Sequence, residues 1–147
     1  FLVAIRDTSG IVSGDEADDL LHWLRSLSGC PTVTHTVLAS CDRHGDDSAT
    51  WCYVEADAGN GVARRRCVAC GATSALLNSA ERWTFPPMHS CRSCAQSLVE
   101  VAAGIAATDN EATWLALAAR CVGCGRIEGL TDVVVHGLSV DEVSAQL

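Results

Sequence analysis

Three Cys-x-x-Cys pairs stand in this chain, Cys67/Cys70, Cys91/Cys94 and Cys121/Cys124. A fourth segment, Cys41-Asp42-Arg43-His44-Gly45, has the same frame with histidine at the second donor position. Two soft donors held on one tight turn, met by a second such pair, satisfy a cation that takes four nitrogen or sulfur ligands in a tetrahedron. A glycine after the second donor permits the positive φ at which the turn closes, and the backbone N–H groups of the turn point at the sulfurs. Cys67-Val68-Ala69-Cys70-Gly71 has every one of these parts, and it recurs, arginine included, in Arg66-Cys67-Val68-Ala69-Cys70-Gly71 and Arg120-Cys121-Val122-Gly123-Cys124-Gly125. Repetition at this scale reads as repetition of a metal-binding unit.

Two zinc ions are expected. With 20 residues between Cys70 and Cys91, the first site is expected at Cys67, Cys70, Cys91 and Cys94. The second is expected to join Cys121 and Cys124 to Cys41 and His44, with Cys52 or His136 as substitutes for His44. Cys30 is read as a non-ligand near a helix end, and His89 as an exposed loop residue. A disulfide framework is the rival account of nine cysteines. The odd number and the tandem spacing favour metal in a reducing compartment, so a cytoplasmic location is expected.

Past Cys70, the run Cys67-Val68-Ala69-Cys70-Gly71, then Cys91-Arg92-Ser93-Cys94 and an apolar segment at helical spacing, resembles the N-terminal zinc-binding domain of the ClpX unfoldase over residues 66–105. The resemblance implies a treble clef, in which a knuckle and hairpin are tied to the first turn of a helix, and it implies protein recognition. It implies no unfoldase activity, since no ATPase module follows. Val140 and Val143 stand where a second cysteine pair of the C-terminal repeat is expected.

The elements that must position these donors are short. Asp15, Glu16, Asp18 and Asp19 load the first turn of a helix over 15–28, where negative charge suits the dipole, with Ser13 as N-cap. Leu20, Leu21, Trp23, Leu24 and Leu27 give it an apolar face, and Gly29 and Pro31 end it. Residues 32–38 and 49–56 read as a β-hairpin. Helices are expected from Cys91 through Ala107 and again through Trp114–Ala118, with a strand into Cys121 as the alternative for the latter. A strand over 132–136 and a helix over 140–146 close the chain. The expected fold class is α+β, built of small zinc-stabilised treble-clef or zinc-ribbon units with an N-terminal helix. Three units are expected: 1–61 with the Cys-x-x-His knuckle, 62–107 as the treble-clef finger, and 108–147 as the C-terminal knuckle repeat.

Charge and missing motifs narrow the function. The net charge is −8 and all ten basic residues are arginine, which repels phosphate backbones at long range. Nucleic acid is therefore a disfavoured partner, with Arg64-Arg65-Arg66 as the one counter-signal. No apolar run reaches the roughly 20 residues of a membrane-spanning helix, so no membrane insertion is expected. There is no His-Glu-x-x-His, no phosphate-binding glycine loop and no nucleophile elbow. The nucleobase-deaminase template fails at Cys52-Tyr53-Val54-Glu55, which has one residue too many. The expectation is a non-catalytic protein-interaction module, adaptor or accessory subunit, partnered by another protein, a larger complex or a second copy in a homodimer. The alternatives are a redox or metal-handling protein and a nucleic-acid-binding ribbon.

Overall fold

The structure is a computed structural model that describes residues 5–27, 32–41, 43 and 50–147. It is mostly β-sheet. A small hairpin of β1 (Arg6–Thr8) and β2 (Ile11–Ser13) leads into α1 (Ala17–Arg25). Then come β3 (His35–Leu38), β4 (Cys52–Asp57), β5 (Val62–Cys67), β6 (Thr73–Ala75), β7 (Val99–Thr108), β8 (Glu111–Cys121), β9 (Ile127–Val134) and α2 (Val140–Ser144). The last seven strands form one antiparallel sheet in the order β6-β5-β4-β7-β8-β9, with β3 also paired to β7.

The helix expected at 91–107 is instead a knuckle turn followed by strand from Val99, and at 114–118 the alternative holds, a strand that runs into Cys121. Alanine-rich runs carry high helix propensity, but each run here is buried on both faces, and that burial decides the matter. Val99, Val101, Ala103 and Ile105 of β7, with Leu115, Leu117 and Ala119 of β8, point into the main core. Ala102, Ala116 and Ala118 point the other way, under Leu20 and Leu24 of α1. The small side chains let the helix lie close to the sheet: a Cβ at Gly104 would come within 3.4 Å of Leu24. Burying the two leucines contributes roughly 1.5–3 kcal/mol each. Asp109 and Asn110, at φ 51° and 66°, make the two-residue turn between β7 and β8, and positive φ at both positions matches the right-handed twist of a hairpin.

The hairpin expected between 32–38 and 49–56 does not form. β3 pairs with β7, His35 opposite Ile105, and β4 pairs with β5, Asp57 opposite Val62. The pairings β4–β5 and β7–β8 run across the boundaries expected at 61/62 and 107/108, so the three expected units share one sheet. At the turn after β4, Asp57 Oδ1 accepts the N–H groups of Gly59 and Asn60. This turn folds onto β9, where Thr131 Oγ1 donates to the Asp57 carbonyl at 3.2 Å. The sheet thus curls around its core, and α2 covers it with Val140 and Val143.

The helical ends agree with sequence to within a turn. α1 starts later than expected because Glu16, not Ser13, is its N-cap; buried Asp19 accepts the N–H of Asp15 at 2.7 Å and of Glu16 at 3.1 Å. α2 opens on a reciprocal cap between Ser139 and Glu142. Among the described residues no helix is long and apolar enough to cross a membrane.

Candidate metal centres

All three Cys-x-x-Cys segments fold into the same turn. The first cysteine ends or precedes a strand and is buried, and the second is exposed. In each turn an N–H four residues on returns to the first cysteine's carbonyl: Gly71 to Cys67 at 2.9 Å, Ala95 to Cys91 at 2.8 Å and Gly125 to Cys121 at 2.8 Å. That closing residue has positive φ, 74° at Gly71, 67° at Ala95 and 82° at Gly125. Cys91–Cys94 is therefore a full knuckle with alanine in the glycine position, and β7 follows it.

The knuckles do not combine as the sequence suggested. Cys91, Cys94, Cys121 and Cys124 form one group, all four sulfurs within 4.8 Å of one another. Cys41, Cys67 and Cys70 form a second group within the same limit. The expected partnership of Cys67 and Cys70 with Cys91 and Cys94 is thus overturned, and with it the treble clef over 66–105. Strand register is the cause. β7 and β8 pair along their length with Val99 opposite Cys121, which brings the knuckle before β7 to the knuckle after β8. β4 and β5 do the same with Cys52 opposite Cys67, and Cys41 lies on the chain that enters β4. His44 and Cys30 lie outside the described residues. His136 is exposed and belongs to neither group. His89 is half-buried beside Glu128, and burial lowers its pKa.

The sulfur spacing suits a shared cation. Cys91 to Cys124 and Cys94 to Cys121 are each 3.5 Å, and Cys41 to Cys70 is 3.7 Å. Thiolates about 2.3 Å from a tetrahedral zinc lie about 3.8 Å apart, whereas a disulfide draws its sulfurs to about 2.05 Å. No disulfide joins any two of the eight described cysteines. Burial opposes ionisation at Cys91, but backbone N–H groups of Cys94 and Ser93 outweigh it and hold that thiol below its ordinary value. Desolvation of the sulfur and then the crowding thiols of Cys91, Cys94 and Cys121 push Cys124 up to about 12 although the residue as a whole is exposed, and burial raises Cys121. Four sulfurs this close ionise together only around a positive charge, so the donor set fits zinc or another thiophilic cation.

The four-cysteine group is braced from outside. Arg126 donates to Ser93 Oγ at 2.8 Å and pairs with Glu128 at 3.1 Å, while Glu128 accepts the Arg92 N–H. The β2–α1 junction docks on the same knuckle: Gly14 N–H donates to the Gly125 carbonyl at 2.9 Å. Arg120, paired with buried Glu100 at 2.6 Å, donates to the carbonyls of Gly14 and Asp15.

Cys52 is close to the three-cysteine group without belonging to it. It is 1% exposed in the main core, and burial pushes its thiol up to about 11. Of the arginine run, Arg64 is held by Glu55 at 2.8 Å and stacks on Trp83, and Arg65 donates to the carbonyls of Ser40 and Leu147. Arg66 is the exposed member.

One feature escaped the sequence reading. Phe85 is 84% exposed at φ 55°, immediately before Pro86-Pro87. Its flanks are fixed: Thr84 Oγ1 donates to Asp57 Oδ2 at 2.7 Å, and His89 N–H donates to the Val54 carbonyl at 2.8 Å. Half-exposed Met88 stands opposite Glu55. The Phe-Pro-Pro run was the available signal. Comparison of the chain with known protein families, curated proteins and solved structures returns no match.

Proposed function

We propose that this protein is a non-catalytic, zinc-stabilised protein-interaction module, an adaptor or accessory subunit, in which two metal-tied hairpin units of zinc-ribbon type present the Phe85 loop to a protein partner. The observation that carries the reading is Phe85. An aromatic residue at positive φ before proline costs on the order of 1–2 kcal/mol, and here the side chain gains no burial in return. Strain held at an exposed residue by anchored flanks is how recognition loops are built. Half-exposed Met88, three residues on, adds apolar surface, and aromatic anchors such as Phe85 dominate binding energy at protein interfaces.

The metals serve structure in this reading. A cation closed in by four thiolates keeps no open position for substrate. For the three-cysteine group we assign His44 as fourth ligand, on spacing alone: it follows Cys41 as Cys94 follows Cys91, and a glycine follows it. Free thiolate sites of this kind persist in a reducing, cytoplasmic setting. The ClpX-like resemblance survives only as the idea of protein recognition.

The test is Phe85→Ala in the full chain. Metal content near two zinc ions per chain and the unfolding midpoint stay at or slightly above wild type, while capture of partner proteins from the native host is lost. Equal capture by the variant sinks the loop as the contact, and a visible iron–thiolate spectrum in place of colourless zinc would move the protein to the redox class.

A further inference from the structure

The two hairpin units differ at one position beside the ligands. Where β4 begins with Cys52 opposite Cys67, β7 begins with Val99 opposite Cys121. The hydrogen bonds around both pairs are the same. Val68 N–H donates to the Trp51 carbonyl and Val122 N–H donates to the Leu98 carbonyl, both at 3.1 Å. A bond from the residue after one member to the residue before the other defines a non-hydrogen-bonded antiparallel pair. In such a pair the Cα atoms lie about 4.5 Å apart with the side chains on one face. A disulfide spans Cα separations of about 4.4–6.8 Å. Cys52 and Cys67 therefore stand within bridging reach with the strands as they are, and only one of them belongs to a metal group.

We propose that Cys52 is a resolving thiol: under a peroxide oxidant, Cys67 leaves the three-cysteine centre for a cross-strand disulfide with Cys52, and that centre releases its metal. The inference rests on reading Cys41, Cys67 and Cys70 as metal ligands. Cys52 and Cys67 are each 1% exposed, so the oxidant meets exposed Cys70 first. The Cys70 thiolate attacks hydrogen peroxide, the O–O bond breaks, and a sulfenic acid forms while the departing hydroxide takes a proton to become water. Cys67 displaces the sulfenic hydroxyl, which leaves as a second water, and forms a Cys67–Cys70 disulfide. Cys52 gives its proton to solvent and attacks the Cys67 sulfur, and Cys70 departs as thiolate and is reprotonated. Two thiols and one peroxide thus become one disulfide and two waters, with the two electrons drawn from the sulfurs of Cys52 and Cys67. With Cys67 withdrawn, the cation loses tetrahedral closure and leaves. The four-cysteine group has Val99 in the equivalent place and so, among the described residues, no cross-strand thiol to receive Cys121.

The test uses the metal-loaded full chain. Its metal content is measured first, then hydrogen peroxide is added, release is followed with a chromophoric chelator, and disulfides are mapped by proteolysis and tandem mass spectrometry after alkylation. The expected result is zinc released, a Cys52–Cys67 link and an alkylatable Cys70, whereas any oxidation of the four-cysteine group, which has Val99 opposite Cys121, stops at links among its own cysteines. Cys52→Val, which copies the other unit, keeps the resting metal and stops at a Cys67–Cys70 link. Cys52 left free in oxidised wild type, or Cys70 still linked to Cys67 when oxidation is complete, overturns the proposal. A resting chain holding only one metal would instead sink the metal reading of the three-cysteine group, and the same map would still decide the disulfide.

Discussion

The alanine that closes the Cys91–Cys94 knuckle offers a measurement that no other position in the chain allows. Three equivalent turns end on Gly71, Ala95 and Gly125, all at φ between 67° and 82°. A Cβ in that region costs about 1–2 kcal/mol, while exchanging alanine for glycine loosens the unfolded chain by about 0.4–1 kcal/mol. Ala95→Gly is therefore expected to stabilise the protein by about 0.5–1 kcal/mol, the difference of those two terms. Gly71→Ala reverses the sign, because nothing lies within 4 Å of the added Cβ and only the backbone term acts; a loss of about 1 kcal/mol follows. Gly125→Ala is far worse. Its Cβ would fall on the Gly14 carbonyl oxygen, unseating the β2–α1 junction and the Arg120 bonds to it, for about 3 kcal/mol or more. Urea unfolding of the metal-loaded proteins, with zinc affinity measured by chelator competition, gives all three values. Equal losses for Gly71→Ala and Gly125→Ala, or a destabilised Ala95→Gly, would refute the shared turn geometry.

Three further outcomes follow from the same structure. Arg120→Ala leaves Glu100 buried without its partner and two carbonyls without a donor; a loss of about 3–5 kcal/mol is expected in urea unfolding. Cys67→Ser removes a thiolate from the three-cysteine group, and since structural zinc contributes roughly 10 kcal/mol or more, the β4–β5 end should lose its order in circular dichroism; an unchanged melt counts against metal there. Desolvation and the neighbouring thiols hold Cys121 and Cys124 protonated in the metal-free protein, so binding must expel those protons and affinity should rise steadily from about pH 6 to 8. A flat chelator-competition profile over that window would exclude thiolate ligation.

Which residues carry the chemistry was legible in the sequence, and how they combine was not. Cys-x-x-Cys spacing fixes the local turn, so Cys67, Cys70, Cys91, Cys94, Cys121, Cys124 and Cys41 all fall in the two groups. Which knuckle meets which is decided by strands read as helices. Ala102, Ala103, Ala106, Ala116, Ala118 and Ala119 favour a helix locally, and only burial on both faces makes them strand. The signal was present: two apolar, alanine-rich runs flank Asp109-Asn110, a hairpin pattern, and Gly104 sits in the middle of one run, where a helix is weakened. Cys52 enters the sequence reading only as a substitute ligand, and its register against Cys67 is a property of the sheet alone.

The repeat noticed in the knuckles extends to whole units. In each, a cysteine precedes a strand, the strand turns back on itself, the returning strand ends on the first cysteine of a knuckle, and a third strand follows: Cys41, β4, β5, Cys67, β6 in one and Cys91, β7, β8, Cys121, β9 in the other. The first residues of the two leading strands, Cys52 and Val99, pair with each other antiparallel. Antiparallel pairing of equivalent residues places a local two-fold axis between them, and that axis exchanges one metal group for the other. Each group is thus closed within its own hairpin although the loop it closes is no shorter, with 26 residues between Cys94 and Cys121 against 20 between Cys70 and Cys91, so loop-closure entropy does not decide the pairing. A metal tie between the units, as the spacing of Cys70 and Cys91 suggested, would have to break the register at both Cys52–Cys67 and Val99–Cys121. The backbone bonds that hold those registers, from Val68 to Trp51 and from Val122 to Leu98, are the reason it does not.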